Sequence, residues 1–321
     1  MLKILQQNEN IFEKYTEDSI QKYINSSCFF LQTPKHILYQ NKENLGECIY
    51  FIWVNDKKII YSLAGVIENN IFYSPFKATF GSFCFEIENI NSSEFSLFIQ
   101  EIKIFLQQKK VKSIHIKNFP MCYAPEKVVL IENILFQHQF QLKNLEINFH
   151  IELDENIWQN LHLSQKRRYQ KCVKNNFIFQ KENKKIDLVF VHQFIQKSRE
   201  RKNYPMTLNQ EKFINLIQTF PQNFEIFSVK KDETFAALCV TIVMNEHILY
   251  SFYPADNVDF LSFSPLVFLF VELGKYAMEN NFKLLDLGIA TDKSVVNEGL
   301  FVFKKRLGAK ISSKSEWICV L

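Results

Sequence analysis

An order of predicted elements that occurs twice constrains the fold of this chain more than any other feature. In each half a strand leads through a loop with a Ser-Pro pair to a helix, and a strand, a helix and a strand follow. The pairs are Ser74-Pro75 and Ser264-Pro265, and the later elements are offset by about 170 residues. Such repetition indicates a duplicated domain. We therefore predict an α/β (α+β) fold with two tandem domains, 1–153 and 154–321, each a mixed, largely antiparallel sheet flanked by helices.

Hydrophobic periodicity and turn residues place the individual elements. Strands are predicted at 47–54, 58–67, 82–87, 113–117, 142–153, 225–229, 234–244, 247–253, 283–287 and 311–320. Helices are predicted at 11–25, 93–109, 126–139, 163–175, 187–197, 209–219, 264–280 and 297–307. The helix at 93–109 is expected to share one apolar face among Phe95, Phe98, Ile99, Ile102 and Leu106. In the strand at 142–153 the alternating residues are Leu145, Ile147, Phe149 and Ile151.

The composition is that of a folded protein without a membrane span. Of 321 residues, 47% are hydrophobic and 22% are charged, which allows sizeable cores and excludes disorder. The longest strongly apolar run, 266–271, is far shorter than the ~20 residues that a spanning helix needs. The N-terminal residues become polar too soon for a signal peptide. We expect a cytoplasmic protein.

Charge, cysteine and histidine usage narrow the class of function. The net charge of +4 by itself implies neither nucleic acid nor membrane, and we predict no DNA binding. The seven cysteines are scattered without a CxxC pair, which indicates buried thiols in a reducing compartment. The seven histidines are isolated in the sequence, so we expect no metal site.

The C-terminal part carries the residues most suggestive of chemistry. A predicted buried strand ends in Asp286-Leu-Gly288, before a loop and a helix with three basic residues. Open α/β sheets keep working residues at such strand ends. Asp286 lies among leucines, where a carboxylate is costly unless it is paired; a structural role in its own turn is the alternative. Upstream, Phe263-Ser264-Pro265 opens a helix whose unpaired N–H groups can hold a phosphate.

Positive charge is concentrated between residues 166 and 202, where twelve Lys/Arg face three acidic residues. Arg167, Lys171 and Lys174 recur at helical spacing and form one positive stripe, and Arg168 adds to the same segment. This stripe is predicted to face an anion such as donor phosphates, tRNA or an acidic glycan, with a solvated face as the alternative. Tyr204 belongs to the next loop, which can cover an acceptor site.

Three short motifs carry a resemblance to a known family. The run 163–174 is similar to a Ser-x-x-Arg-Arg-x-x-x-Lys-Ala helix, and Ser264-Pro265-Leu266 opens a helix at the equivalent place. Asp286-Leu-Gly288 and the run 303–309, Phe-Lys-Lys-Arg-Leu-Gly-Ala, are similar to an Asp-x-Gly and Phe-Lys-x-x-x-Gly-Ala ending. Together they resemble the GNAT acyltransferase superfamily, specifically its tandem-domain branch related to Fem-type aminoacyl transferases of peptidoglycan synthesis.

The resemblance implies that an amine attacks the carbonyl of an activated donor directly. The slot for this reaction should lie in the second domain, between the strands at 247–253 and 283–287, while the first domain is mainly structural. Tyr253 would protonate the leaving group, and Asp286 would receive the amine proton or position the acceptor. The residues expected to bind the donor are Ser262, Phe263, Ser264 and Lys304, and those expected to bind the substrate are Arg167, Arg168, Tyr204 and Asn297.

Three functions follow from this resemblance. The first is an N-acyltransferase that moves an acyl group from acyl-CoA, as co-substrate, to an amine of a small molecule or sugar, with no tightly bound cofactor. Single-domain relatives hold the donor's pyrophosphate in a glycine-containing loop, whereas the run 259–265 has no glycine. Because this run lacks glycine, the second function is a Fem-like transferase that uses aminoacyl-tRNA on a cell-wall peptide precursor. An acyl carrier protein is a further candidate donor. The third is a GNAT-fold module that binds an acidic partner without catalysis.

Overall fold

The computed structural model describes residues 1–6, 23, 27–43, 45–55, 58–153 and 157–321. The helix predicted at 11–25 lies outside the described residues, apart from position 23, and so does the domain junction predicted at Asp154. Within the described ranges, no helix is both long and apolar enough to cross a membrane.

Strands and helices alternate along the described chain. The strands are β1 Leu2–Gln6, β2 Glu47–Asn55, β3 Lys58–Glu68, β4 Ile71–Ser74, β5 Phe83–Cys84, β6 Ser113–Lys117, β7 Gln141–Glu152, β8 Ile178–Lys181, β9 Phe224–Lys231, β10 Thr234–Asn245, β11 Ile248–Asp256, β12 Leu284–Ile289, β13 Thr291–Asp292, β14 Val295–Val296 and β15 Lys310–Val320. The helices are α1 Pro34–Gln40, α2 Ser92–Gln108, α3 Pro125–Gln137, α4 Ile157–Asn160, α5 Leu163–Lys174, α6 Leu188–Arg201, α7 Gln210–Thr219, α8 Pro265–Glu279 and α9 Glu298–Arg306. The predicted class is confirmed: helices flank mixed, mostly antiparallel sheet.

The chain forms two compact units, which are not consecutive halves of the sequence as 1–153 and 154–321 would be. The first unit comprises Met1–Ile147, Lys293–Val295 and Ser312–Leu321, and the second comprises Asn148–Asp292 and Val296–Ile311. Each unit therefore takes a strand from the other half of the chain. Strand β15 pairs with β6 of the first unit, and the end of β7 pairs with β12 of the second.

In the first unit the strand order is β1-β2-β3-β4-β6-β15, with β5 paired to β3. Among the described strands of this unit, β4 with β6 is the parallel pair. Helix α2 begins after Asn91, whose side chain accepts hydrogen bonds from two backbone N–H groups of the first turn. The five apolar residues predicted to share its face are all buried. That prediction is confirmed.

In the second unit the strand order is β7-β12-β11-β10-β9-β8, and β11 with β12 is the parallel pair among the described strands. Helix α8 begins at Pro265, which suits a first helical position because its missing N–H would be unpaired there. Nine of its residues are buried, so it is a core helix that covers the sheet. Helix α5 packs against α8, which fixes the basic segment beside the start of α8.

Several elements differ from the sequence-based prediction. The elements that were not predicted are strands β1, β4, β8, β13 and β14 and helices α1 and α4, and the strand expected at 82–87 is only Phe83–Cys84. In β7, Phe149 and Ile151 are buried, but Leu145 is 46% exposed. Where β7 enters the second unit, its residues 148–151 are all buried, so the predicted alternation of buried and exposed residues does not hold in this strand.

Candidate active site

The parallel strands β11 and β12 pair over only three positions, and the last pair is Tyr250 with Asp286. Both strands continue, β11 to Asp256 and β12 to Ile289, without further pairing between them. On the other edge of β11, the register with β10 shifts by one residue, which makes Phe252 a β-bulge. A bulge bends its strand. We use the name slot for the place between β11 and β12 beyond the Tyr250–Asp286 pair, where no ladder pair joins the two strands.

Asp286 is buried at the inner end of this slot and is only 2% exposed. Its Oδ1 accepts one hydrogen bond from Asn148 Nδ2 at 2.9 Å and another from the Gly288 N–H at 2.8 Å. Gly288 has a φ of +75°, which lies in the left-handed region that favours glycine. The carboxylate therefore fixes the β-bulge at Leu287 within β12 and ties it to β7.

Lys304 reaches the same strand end from α9. Its side chain is buried, and Nζ donates hydrogen bonds to the carbonyls of Gly288 at 2.9 Å and Ile289 at 2.7 Å. Burial lowers the pKa of Lys304 to about 8, although the charge of Asp286 acts to raise it. This lysine can exchange a proton near neutral pH.

Tyr253 is buried on the β11 side, where its hydroxyl is hydrogen-bonded to Thr207 Oγ1. Burial raises the pKa of this phenol, so it keeps its proton at neutral pH. The Arg199 guanidinium lies 5.4 Å from the centre of the Tyr253 ring and 5.9 Å from that of Tyr204. Its Nε and Nη2 both donate to the Pro205 carbonyl, at 3.0 and 2.8 Å. Arg199 thus holds the loop after α6 against Tyr253.

Tyr204 and Asn297 meet at the other end of that loop. Asn297 Nδ2 donates to the Tyr204 hydroxyl at 3.0 Å, and Asn297 Oδ1 caps α9 by accepting from the Leu300 N–H at 3.0 Å. The same helix carries Lys304 into the slot. Two predicted substrate-binding residues are therefore linked to each other: Asn297 caps the helix that carries Lys304, and Tyr204 lies in the loop that packs against Tyr253.

The predicted donor-binding run Ser262, Phe263 and Ser264 faces α5. The carbonyl of Ser262 accepts from Lys171 Nζ at 2.9 Å, and that of Phe263 accepts from Cys172 Sγ at 3.3 Å. Ser264 adopts a left-handed conformation with φ +58°, and its carbonyl accepts from the Val267 N–H at 3.0 Å. Since Pro265 has no N–H, the first turn of α8 presents few N–H groups to a phosphate.

The outer side of α5 forms a shallow basic cleft of about 470 Å³. We call it the basic face; it is lined by Lys166, Arg167, Gln170, Lys171, Lys174 and Asn175. None of these lining residues is acidic. Arg168 is exposed outside this lining and donates to Gln165 Oε1 at 3.2 Å. Of the two arginines predicted to bind substrate, the structure places only Arg167 on the basic face.

The corresponding strand end of the first unit is filled by its own chain. Gln32 Nε2 donates to the carbonyl of Gly81 at 2.7 Å and lies 3.3 Å from those of Ser82 and Phe83. Phe29 packs against three aromatic rings there, with ring centres 4.9 to 6.1 Å apart: Phe80, Phe119 and Tyr123. The loop after β4 is therefore packed rather than open.

Several residues of the site were not predicted from the sequence. Arg199 and Thr207 lie in a basic, loop-rich segment where no spacing marks them. Asn148 contacts Asp286 across β7 and β12, a pairing of residues separated by 138 positions. Local patterns do not specify such a register, so nothing in the sequence signalled this contact.

No family model and no curated protein matches the chain. Solved structures do match over nearly its whole length. FemX has a TM-score of 0.73 at 14% identity, covering 95% of this chain and 96% of that chain. L-PGS from Bacillus licheniformis has a TM-score of 0.60 at 13% identity, with 96% and 93% covered. A tandem GNAT protein from the clavulanic acid biosynthesis pathway has a TM-score of 0.55 at 7% identity, with 100% and 98% covered.

At such identities the likeness concerns the fold. The sequence motifs and these structures agree, and the chain therefore has a tandem GNAT-like fold, which is similar to that of FemX.

Proposed function

We propose that the second unit is an acyltransferase, which moves an acyl group from an activated donor to an amine. The observation that carries this proposal is the slot beyond the Tyr250–Asp286 pair, with proton-bearing side chains on both of its sides. Strand edges that no longer pair leave backbone N–H groups for a developing oxyanion. Proton donors and acceptors around such a place are what acyl transfer requires.

The chemistry assigns one proton step to each side of the slot. The acceptor amine forms a C–N bond with the donor carbonyl, and the bond from that carbon to the leaving atom breaks. Tyr253 stays protonated because burial raises its pKa, so it can give its proton to the leaving atom. Lys304 has a pKa of about 8, so it is partly neutral near pH 8 and can take a proton from the acceptor's ammonium. Asp286 then acts by fixing the β-bulge after which the Gly288 and Ile289 carbonyls hold Lys304.

The reaction is assigned to the second unit because the equivalent place in the first unit is filled. Gln32 and the aromatic residues around Phe29 pack against the loop after β4. This contrast supports a structural role for the first unit.

Two donors are compatible with the sequence motifs, acyl-CoA and aminoacyl-tRNA. The first turn of α8 presents few N–H groups, which disfavours the pyrophosphate of CoA. The basic face lies next to that turn, since Lys171 Nζ is bonded to the Ser262 carbonyl. A cleft lined by cations without an acid suits a donor with a phosphate backbone. These features, with the structural likeness to FemX, support aminoacyl-tRNA as the first candidate and acyl-CoA as the second.

The test supplies each donor with hydroxylamine as a surrogate amine and measures the hydroxamate formed. We expect the protein to accelerate hydroxamate formation from aminoacyl-tRNA, and the double variant Arg167→Ala/Lys174→Ala to weaken donor binding. The salt dependence of binding should also become shallower, by about one unit of slope for each phosphate that the variant no longer neutralises. Lys184→Ala/Lys185→Ala removes the same charge elsewhere on the second unit and serves as the control. Consumption of acyl-CoA alone would reverse the order of the donors, and consumption of neither would refute acyl transfer.

A further inference from the structure

A buried histidine lies directly opposite Asp286 on the neighbouring strand. His150 of β7 is the antiparallel register partner of Asp286 and is 5% exposed. Directly opposed residues project from the same face of a sheet, with Cβ atoms about 4.5–5.5 Å apart. Among the residues that the structure describes, buried Nδ1 of His150 has no hydrogen-bond partner. An unpaired buried nitrogen is costly and calls for a bridging water or a functional role.

The other ring nitrogen of His150 faces a partly exposed carboxylate. Nε2 lies 3.7 Å from Glu152 Oε1, and the Glu152 side chain is 41% exposed. Glu152 Oε2 is also paired with Lys310 Nζ. His150 therefore stands between a carboxylate in the slot and a carboxylate at the surface.

The charged and titratable groups around His150 come from several elements. Asp286 of β12 and Glu152 of β7 act to raise its pKa, and Lys310 of β15 acts to lower it. Burial is the largest influence and lowers the pKa of His150, so the neutral ring predominates at neutral pH. Within the slot, Asp286 also interacts electrostatically with Lys304 and with Tyr250. These groups form one electrostatic network.

We propose that His150 is a proton relay, which carries the proton released by acylation from Asp286 to Glu152 and so to solvent. The inference rests on the proposed function, because acylation of an ammonium releases a proton. When the C–N bond forms and the bond to the leaving atom breaks, the nitrogen gives up two protons. One offsets the proton that Tyr253 donates to the leaving atom, and the other leaves the slot.

The geometry of His150 suits the outgoing proton. Lys304 passes it to Asp286, and a water between Asp286 and His150 delivers it to Nδ1. The proton on Nε2 then goes to Glu152, and the ring returns to its neutral form. A neutral imidazole with its hydrogen on Nε2 can donate to Glu152, and its Nδ1 can accept from the bridging water.

The first test measures the network without any substrate. Nitrogen-15 NMR of the imidazole rings gives the tautomer and the pKa of His150 in the full chain. We expect the neutral ring to carry its hydrogen on Nε2, and both Asp286→Asn and Glu152→Gln to lower the pKa of His150, because each removes a nearby negative charge. His247, which is exposed at the start of β11, should be unaffected. A His150 titration that is unchanged in both variants overturns the relay, whatever the activity.

The second test measures turnover. His150→Gln should lower kcat by about 100-fold, the lower end of what a general acid or base contributes, with little change in donor KM. Small buffers such as imidazole should restore part of the activity, because they carry the proton instead; a purely structural defect would not respond. His247→Gln is the matched control. If the wild type transfers acyl groups and His150→Gln is as fast, the relay is wrong and the acyltransferase stands. If the wild type transfers none, the proposed function fails and the relay fails with it.

Discussion

Replacing Lys304 by methionine should stabilise the protein at neutral pH while it abolishes activity. The pKa of Lys304 is lowered from 10.5 to about 8 by burial, so the folded protein disfavours the ammonium form. At pH 7 the burial of this ammonium therefore lowers the free energy of unfolding by about 3 kcal/mol. Between pH 8 and 10.5 the unfolded state binds more protons than the folded state, so stability rises with pH through this window. Above pH 10.5 the lysine is neutral in both the folded and the unfolded state, and its burial no longer lowers the free energy of unfolding.

Methionine has nearly the same length as lysine and carries no charge, so Lys304→Met removes the destabilisation caused by the buried ammonium. It also removes two hydrogen bonds to the Gly288 and Ile289 carbonyls, each worth about 1 kcal/mol net. We expect the variant to be more stable than wild type by about 1 kcal/mol at pH 7 and less stable by about 2 kcal/mol near pH 10.5.

Urea unfolding at the two pH values measures this difference. Lys305→Met, on the exposed side of the same helix, is the matched control and should show no such dependence on pH. A stability difference between Lys304→Met and wild type with the same sign and size at both pH values would refute the burial cost assigned to Lys304.

Four further substitutions test the geometry around the slot. Tyr253→Phe should lower the single-turnover rate constant of acyl transfer by about 100- to 10,000-fold without changing donor affinity, and an unchanged rate would remove Tyr253 as the acid. Gly288→Ala should lower the melting temperature, since a side chain at φ +75° costs about 1 kcal/mol and its Cβ would lie 3.4 Å from Tyr250. Gly299→Ala in α9 should raise the melting temperature instead, because its Cβ would meet its nearest atom at 3.5 Å; equal shifts in both variants would contradict this contrast. Arg199→Lys keeps the charge but loses the two-pronged bond to the Pro205 carbonyl, so the acceptor KM should rise while donor binding stays constant, and an unchanged KM would dissociate that loop from the acceptor.

The sequence predicted most elements of the second unit because their patterns are local. Helix α8 combines a Ser-Pro start with a strongly apolar run, and α2 of the first unit likewise keeps one apolar stripe over four turns. Strand β8 was missed because Ile178–Lys181 is a short, half-exposed edge strand with little alternation. Local patterns do not specify which unit a strand joins, so the exchange of strands between the halves of the chain was not predicted.

The same limit applies to the candidate site. Asp286 and Lys304 stood out because each is charged on an otherwise apolar element. Their neighbours Asn148 and His150 did not, because they are polar residues that alternate with Phe149 and Ile151, as on the exposed side of any strand. Only the long-range register with β12 shows that this side is also buried.

The central claim is that the slot between β11 and β12 receives the donor, and a fluorine label on Tyr253 tests it most directly. A 3-fluorotyrosine at position 253, observed by fluorine-19 NMR, would be titrated with an unreactive, amide-linked analogue of aminoacyl-tRNA and then of acyl-CoA. The same label at Tyr123, in the packed region of the first unit, is the control. We predict that the Tyr253 resonance shifts and saturates with the donor analogue while the Tyr123 resonance stays in place. Binding of the analogue that leaves Tyr253 unchanged, or that shifts Tyr123 instead, would contradict the account.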